Sequence, residues 1–163
     1  MTGSAAPSVR RPPAAPAAPT APATPARRTV VVSGLMSDAH TWNLVFLQLL
    51  LEEAGFGVVN LGPCVPVELL AARCLAERPL MVVLSSVNGH GYQDGLRAIE
   101  ALRARPELAG TVIVIGGKLG VSGRLRTDRA AQLAAAGYDA VYDDDADLSG
   151  FAGLYSSLAV AEL

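Results

Sequence analysis

Apolar positions along this chain change their spacing in a regular alternation. Thr29-Val30-Val31-Val32-Ser33-Gly34 is a β-branched run closed by glycine, the pattern of a strand buried on both faces. Trp42, Val45, Phe46, Leu49 and Leu50 then recur at i, i+3, i+4, i+7 and i+8, with Gly55 as a stop, which predicts a helix with that stripe turned inward. Leu44, Leu47 and Leu51 occupy a neighbouring face, so the helix is apolar nearly all round and wants a second surface: either the last helix or a partner subunit. Val58 to Leu61 reads as a second strand. A helix over Val67 to Glu77 follows, with Pro66 suited to its first turn and Pro79 beyond its end. Then come a strand Leu80 to Leu84, a helix Gln93 to Arg105, a strand Thr111 to Ile115 and a helix Arg124 to Ala136 stopped by Gly137. A short strand Ala140 to Tyr142 and a helix Leu148 to Ala161 complete the pattern.

Strands alternating with helices predict βαβ units with right-handed crossovers, hence a parallel sheet covered on both faces. The expected fold is α/β: a flavodoxin-like, doubly wound, three-layer sandwich of five strands in the order 2-1-3-4-5. Ligands of such sheets bind outside the carboxyl ends of the strands where the winding reverses, here strands 1 and 3. The informative loops are therefore 34–42 and 85–92, with 116–123 beside them.

Composition separates the ends of the chain. Residues 1–27 hold seven of the 11 prolines, nine alanines and no acidic side chain, and the 1–28 segment is expected to be a disordered, solvated tail. Residues 29–163 are expected to form one domain. That body carries nine basic and all fifteen acidic side chains, a formal charge of −6, which argues against a nucleic-acid partner. The uncharged apolar-rich run Thr41 to Leu51 is 11 residues, short of the about 18 a membrane span requires. Frequent prolines break any apolar core of a secretory leader. Cys64 and Cys74 match neither a metal pair nor a disulfide framework, so a cytoplasmic setting with reduced thiols is expected.

Loop 34–42 reads Gly-Leu-Met-Ser-Asp-Ala-His-Thr-Trp and lacks both a hydroxyl-rich flavin-phosphate run and G-x-G-x-x-G. The G-x-G of Gly89-His90-Gly91 follows the third strand, with the wrong downstream spacing. A receiver domain needs a phosphorylatable aspartate at the end of strand 3, where this chain has Ser85. What remains is Asp38 and His40, an Asp-x-His pair facing a serine-rich strand end and a Gly-Gly step. A carboxylate beside an imidazole holds its tautomer and leaves the other ring nitrogen free for a metal. Asp38 is also placed to cap the first helix. One imidazole does not make a zinc or iron site, so a lone histidine ligand makes sense only where a cofactor brings the rest of the coordination sphere.

Asp38-Ala39-His40-Thr41-Trp42-Asn43, then Ser85-Ser86-Val87, then Gly116-Gly117, resembles the D-x-H-x-x-G, S-x-L and G-G signature of cobalamin-binding domains. Within that superfamily the stretch from about Thr29 to Tyr142 is most similar to the small subunit of glutamate mutase, also called methylaspartate mutase. The resemblance implies that His40 replaces the cofactor's own base as the lower cobalt ligand, with Asp38 as its hydrogen-bond partner. Ser85 would bond the displaced benzimidazole, Val87 would line its slot, and Gly116 and Gly117 would let the tail pass close to the backbone. Ser37, Ala39, Thr41, Asn43 and Gly89 complete the implied cofactor-binding set. The implied cofactor is adenosylcobalamin, whose upper cobalt–carbon bond breaks homolytically to start a carbon-skeleton rearrangement on a substrate held by a separate, barrel-shaped large subunit. The protein's share is binding, orientation and ligand tuning.

Three positions depart from the pattern: Asn43 stands in place of glycine, Val87 in place of leucine, and Asp143-Asp144-Asp145-Ala146-Asp147 follows the last strand, where carboxylates would repel a phosphodiester unless turned outward. Two other readings stay open, a stand-alone cobalamin carrier or sensor serving a methyltransferase or regulator, and a flavodoxin-like interaction domain without cofactor.

Overall fold

The computed structural model describes residues 28–120, 126–143 and 148–161. The 1–27 stretch of the tail and residues 144–147 of the acidic run lie outside the described residues. The elements are β1 (Thr29–Gly34), α1 (Trp42–Glu53), β2 (Gly57–Asn60), α2 (Val67–Glu77), β3 (Met81–Ser86), α3 (Gly91–Arg103), a 3-10 turn (Pro106–Leu108), β4 (Val112–Gly117), α4 (Arg126–Ala136), β5 (Ala140–Asp143) and α5 (Leu148–Val160). All pairings are parallel and the strand order is β2-β1-β3-β4-β5, as the alternating pattern requires. Among the described residues no helix is long and apolar enough to cross a membrane.

Each central strand feeds both layers through its two-residue period. Val30 and Val32, Met81 and Val83, and Val114 face a core shared with Leu44, Leu51 and Phe151 of α1 and α5. Their neighbours Val31, Val82 and Leu84, Ile113 and Ile115 face the opposite core, under α2, α3 and α4. Fully burying each such side chain contributes about 1.5–3 kcal/mol, which fixes the register, because a one-residue slip would exchange the two sets.

Most element ends fall within two residues of the pattern, and the differences cluster at the carboxyl ends of the strands. Ser85 and Ser86 continue β3, and Gly116 and Gly117 continue β4, because each finds a ladder partner: Gly34 pairs with Ser85, Ser85 with Gly116, and Gly116 with Tyr142. Residues from four strands thereby stand in one row. The α2 helix ends on Arg78, which takes a left-handed φ of 46°, so the stop comes one residue before Pro79.

The orientation of α1 is the reverse of the expected one. Leu44 and Leu51 are fully buried, with Leu47 and Leu50 packed against the same core, while Trp42, Val45, Phe46 and Leu49 are exposed. In a helix apolar on every side the 3.6-residue period does not choose the inward face; the fit against β1 and β2 does. Burial against β1 and β2, in a core shared with α5, thus accounts for Leu44 and Leu51, and Leu51 is unavailable to a partner subunit.

Candidate functional site

His40 is held by the loop between β1 and α1. The Asp38 carboxylate, 1% exposed, accepts hydrogen bonds at Oδ1 from the His40 backbone N–H at 3.0 Å and meets the His40 ring Nδ1 at 2.6 Å. Its Oδ2 accepts the Val87 N–H from the loop after β3 at 2.5 Å. Burial alone would raise the Asp38 carboxyl, but the two amides, the imidazole and the Ser86 hydroxyl outweigh it and hold the carboxyl below the usual carboxylate range. With Nδ1 engaged and the side chain half exposed, Nε2 is the ring nitrogen left to meet an incoming group. Helix capping is not Asp38's role: the N-cap of α1 is Thr41, without a side-chain cap.

A polar brace ties the two loops together. Asn88 Nδ2 donates to the Ser37 carbonyl at 2.7 Å, its Oδ1 accepts from Ser86 and from the His90 N–H, and Asp94 at the start of α3 accepts the Ser37 N–H at 3.0 Å. Gly89 closes the loop with a φ of 82°, its N–H bonded to the Lys118 carbonyl. His90 is exposed at the head of α3. Among the described residues no three His, Cys, Asp or Glu side chains gather as a protein-only metal site.

Beside this brace a cleft of about 490 Å³ opens between the carboxyl ends of β3, β4 and β5 and the helices α1 and α5. Of the sequence-implied residues it brings together Asn43, Ser85, Val87, Gly116 and Gly117; Ser37, Ala39, Thr41 and Gly89 do not line it, nor do Asp38 and His40. Asp38 nonetheless grips Val87 on its rim, and Trp42, two residues beyond His40, forms part of its wall. Ser85 shares the face of Met81 and Val83, toward α1, and the alternation sends Ser86 to the α3 side.

Within the cleft Asn43 Nδ2 donates to Ser85 Oγ at 2.7 Å. Asn43 Oδ1 is buried and, among the described residues, has no hydrogen-bond partner. Such an orphaned acceptor costs about 1–3 kcal/mol until something satisfies it. Gly117 is needed by the protein itself: at φ 102° its missing Cβ would overlap the Ser86 carbonyl oxygen, so close packing of β4 on β3 demands glycine whatever the cleft holds. A Cβ at Gly116 would lie 3.0 Å from the Tyr142 carbonyl oxygen, a tight approach without the overlap found at Gly117.

The pattern of motifs did not reveal Trp42, Phe46, Tyr142, Leu148 and Phe151, which supply the cleft's apolar wall. Tyr142 and Phe151 meet edge to face at 5.6 Å, and burial raises the Tyr142 hydroxyl above its ordinary value. The available signal was an excess: α1 and α5 carry more apolar surface than one packing face uses. Lys118 and Asp143 bring opposite charges to the cleft. Residues 144–147, whose effect on a phosphodiester was in question, lie outside the described residues.

A family description, the B12 binding domain, matches residues 28–142. Glutamate mutase sigma subunit 1 of Haloarcula marismortui is 30% identical over 122 residues, 74% of this chain and 78% of that protein; the sigma subunit of Clostridium cochlearium is 29% identical over 119 residues, 71% and 84% respectively. Among solved structures, a cobalamin-binding protein from Desulfitobacterium hafniense superposes with a TM-score of 0.63 at 22% identity, covering 80% of this chain and 60% of that one. A methanol:cobalamin methyltransferase complex from Methanosarcina barkeri gives 0.62 at 26% identity, covering 83% and 49%. This chain thus spans about half to three fifths of those solved chains. A response regulator from Burkholderia multivorans, at 0.55 and 19%, shares the fold alone. With an Asp-anchored imidazole, a cleft at the strand ends and a match across both, the chain belongs to the B12-binding domain family.

Proposed function

We propose that this chain is the cobalamin-carrying small subunit of an adenosylcobalamin-dependent carbon-skeleton mutase of the glutamate mutase type, acting in the cytoplasm with a separate, barrel-shaped large subunit. The observation that carries the reading is the 2.6 Å contact between Asp38 Oδ1 and His40 Nδ1, which leaves Nε2 as a single ready ligand beside a cleft suited to a nucleotide tail. The residues fit the group: one imidazole for cobalt, apolar walls for an aromatic base, and polar Ser85 and Asn43 for its edge. When bound, adenosylcobalamin supplies a homolytically cleavable cobalt–carbon bond. The chain's own work is to hold the imidazole's tautomer through Asp38, to seat the tail between α1 and α5, and to present the loaded face to the large subunit. Substrate binding is assigned to that large subunit, and the small subunit is expected to be inactive alone.

The sigma-subunit relatives favour this reading, whereas the likeness to the methyltransferase complex supports the second, a carrier module serving another partner. The test is electron paramagnetic resonance of the cobalt(II) form after mixing with adenosylcobalamin. Coupling to one nitrogen is expected to change with ¹⁵N-histidine labelling and to vanish in His40→Ala. A spectrum showing the cofactor's own base on cobalt overturns the reading. Conversion of glutamate to 3-methylaspartate on adding a large subunit separates mutase from carrier.

A further inference from the structure

The cleft holds two unspent hydrogen-bonding groups next to each other. Asn43 Nδ2 donates to Ser85 Oγ, so the serine oxygen is used as an acceptor and its own hydrogen is left over; among the described residues that hydrogen meets no acceptor. Asn43 Oδ1, on the same amide, is among the described residues an acceptor without a donor. Both side chains are 5% exposed, so water offers little relief. The surrounding wall is aromatic and aliphatic, from Trp42, Phe46 and Phe151. A ligand that completes this place must be largely apolar and must bring one acceptor for Ser85 and one donor for Asn43.

Resting on the corrinoid reading above, we propose that Asn43 is a binding residue for the cofactor's nucleotide tail: Oδ1 accepts a hydrogen bond from the tail, and Nδ2 orients Ser85 so that its O–H serves the ring nitrogen freed from cobalt. The last torsion of asparagine is broad, so a small turn of the planar amide brings Oδ1 toward the cleft and carries Nδ2 with it. Because the benzimidazole of cobalamin carries no N–H, the donor on the tail is a ribose hydroxyl. Asn43 thereby makes the site discriminate corrinoids that carry a nucleotide from those that lack one.

The test titrates the full chain and its Asn43→Ala and Asn43→Gly variants with hydroxocobalamin, with cobinamide, which has no nucleotide, and with a cobamide bearing adenine. Affinity is read from the visible spectrum, and the melting temperature of the ligand-free proteins is recorded. The variants are expected to bind cobalamin about tenfold more weakly, about 1.4 kcal/mol, while cobinamide stays within about twofold. An equal loss is expected for the adenine cobamide, whose ribose is the same, and a loss confined to the adenine cobamide overturns the assignment. The ligand-free melting temperature is expected to fall only modestly, since the variants lose the Nδ2 bond to Ser85 but also remove the unpaired Oδ1. Unchanged cobalamin affinity, equal losses for cobalamin and cobinamide, or a drop in ligand-free stability that accounts for the binding loss each overturn the proposal. If the wild-type chain takes up neither corrinoid, the functional reading falls with it; if uptake and the His40 nitrogen signature persist while Asn43 proves silent, the inference alone fails.

Discussion

The two halves of the candidate site are built to opposite rules. In the loop around His40 the protein satisfies itself: both carboxylate oxygens of Asp38 are engaged, and Ser37, Asn88 and Asp94 brace the loops after β1 and β3 against each other. In the cleft between α1 and α5 the same chain leaves an amide oxygen without a partner among the described residues, and Trp42 63% exposed. A metal ligand has to be aimed before the metal arrives, and fixed hydrogen bonds do that at little further cost on binding. A slot for a large apolar group is instead completed by what enters it, so its walls are finished only in the complex.

That contrast breaks first, and most severely, at the seam between the halves. Gly117→Ala forces a Cβ into the Ser86 carbonyl at a left-handed φ and is expected to cost about 4 kcal/mol of unfolding free energy, read as a lower urea midpoint at unchanged slope. The helix behind the cleft comes next. Leu51→Ala empties a fully buried position and should cost about 3 kcal/mol, whereas Leu49→Ala on the exposed face should stay within about 0.5 kcal/mol; a larger loss at Leu49 than at Leu51 would mean that α1 is turned the other way.

Smaller effects sharpen the division. Asp38→Asn is expected to weaken corrinoid binding about 10- to 100-fold and to alter the cobalt(II) nitrogen coupling, since it unfixes the imidazole without removing it. Trp42→Ala should leave stability within about 0.5 kcal/mol yet weaken cobalamin several-fold more than cobinamide, because an exposed wall residue acts only when the slot is filled. The mildest effect is a pH dependence far from the site. Burial pushes the Cys74 thiol up to about 12. The unfolded chain loses that proton from about pH 9 while the folded chain keeps it, so stability is full below pH 9 and declines toward pH 12; Cys74→Ala should flatten that decline.

The succession of strands and helices was legible because burial on two faces writes period-2 and period-3.6 patterns directly into the chain, and parallel crossovers then leave few topologies. His40 and Asp38 were legible too, two residues apart in one loop, their pairing local. The inward face of α1 was not. Its residues from Trp42 to Leu51 are apolar in every direction, and no periodicity selects among equivalent faces. Only the packing of α1 against the sheet and α5 decided that Leu44 and Leu51 go in and Trp42 and Phe46 come out to wall the cleft.

The same limit applies to Asn43 and Gly117. Asn43 reads as a bare departure from glycine until parallel registry puts Ser85, 42 residues away, within 2.7 Å of its amide. Gly117 reads as a concession to a ligand until β4 is laid against β3 and the Ser86 carbonyl is found where a side chain would be. Sequence by itself determined the element types, the sheet order and the Asp-His pair, since these follow from contacts near in the chain or from burial alone. Which helix face is inside, which polar atom is left unpaired and why a glycine is required came only from tertiary structure, because each is a relation between atoms that the chain brings together from far apart.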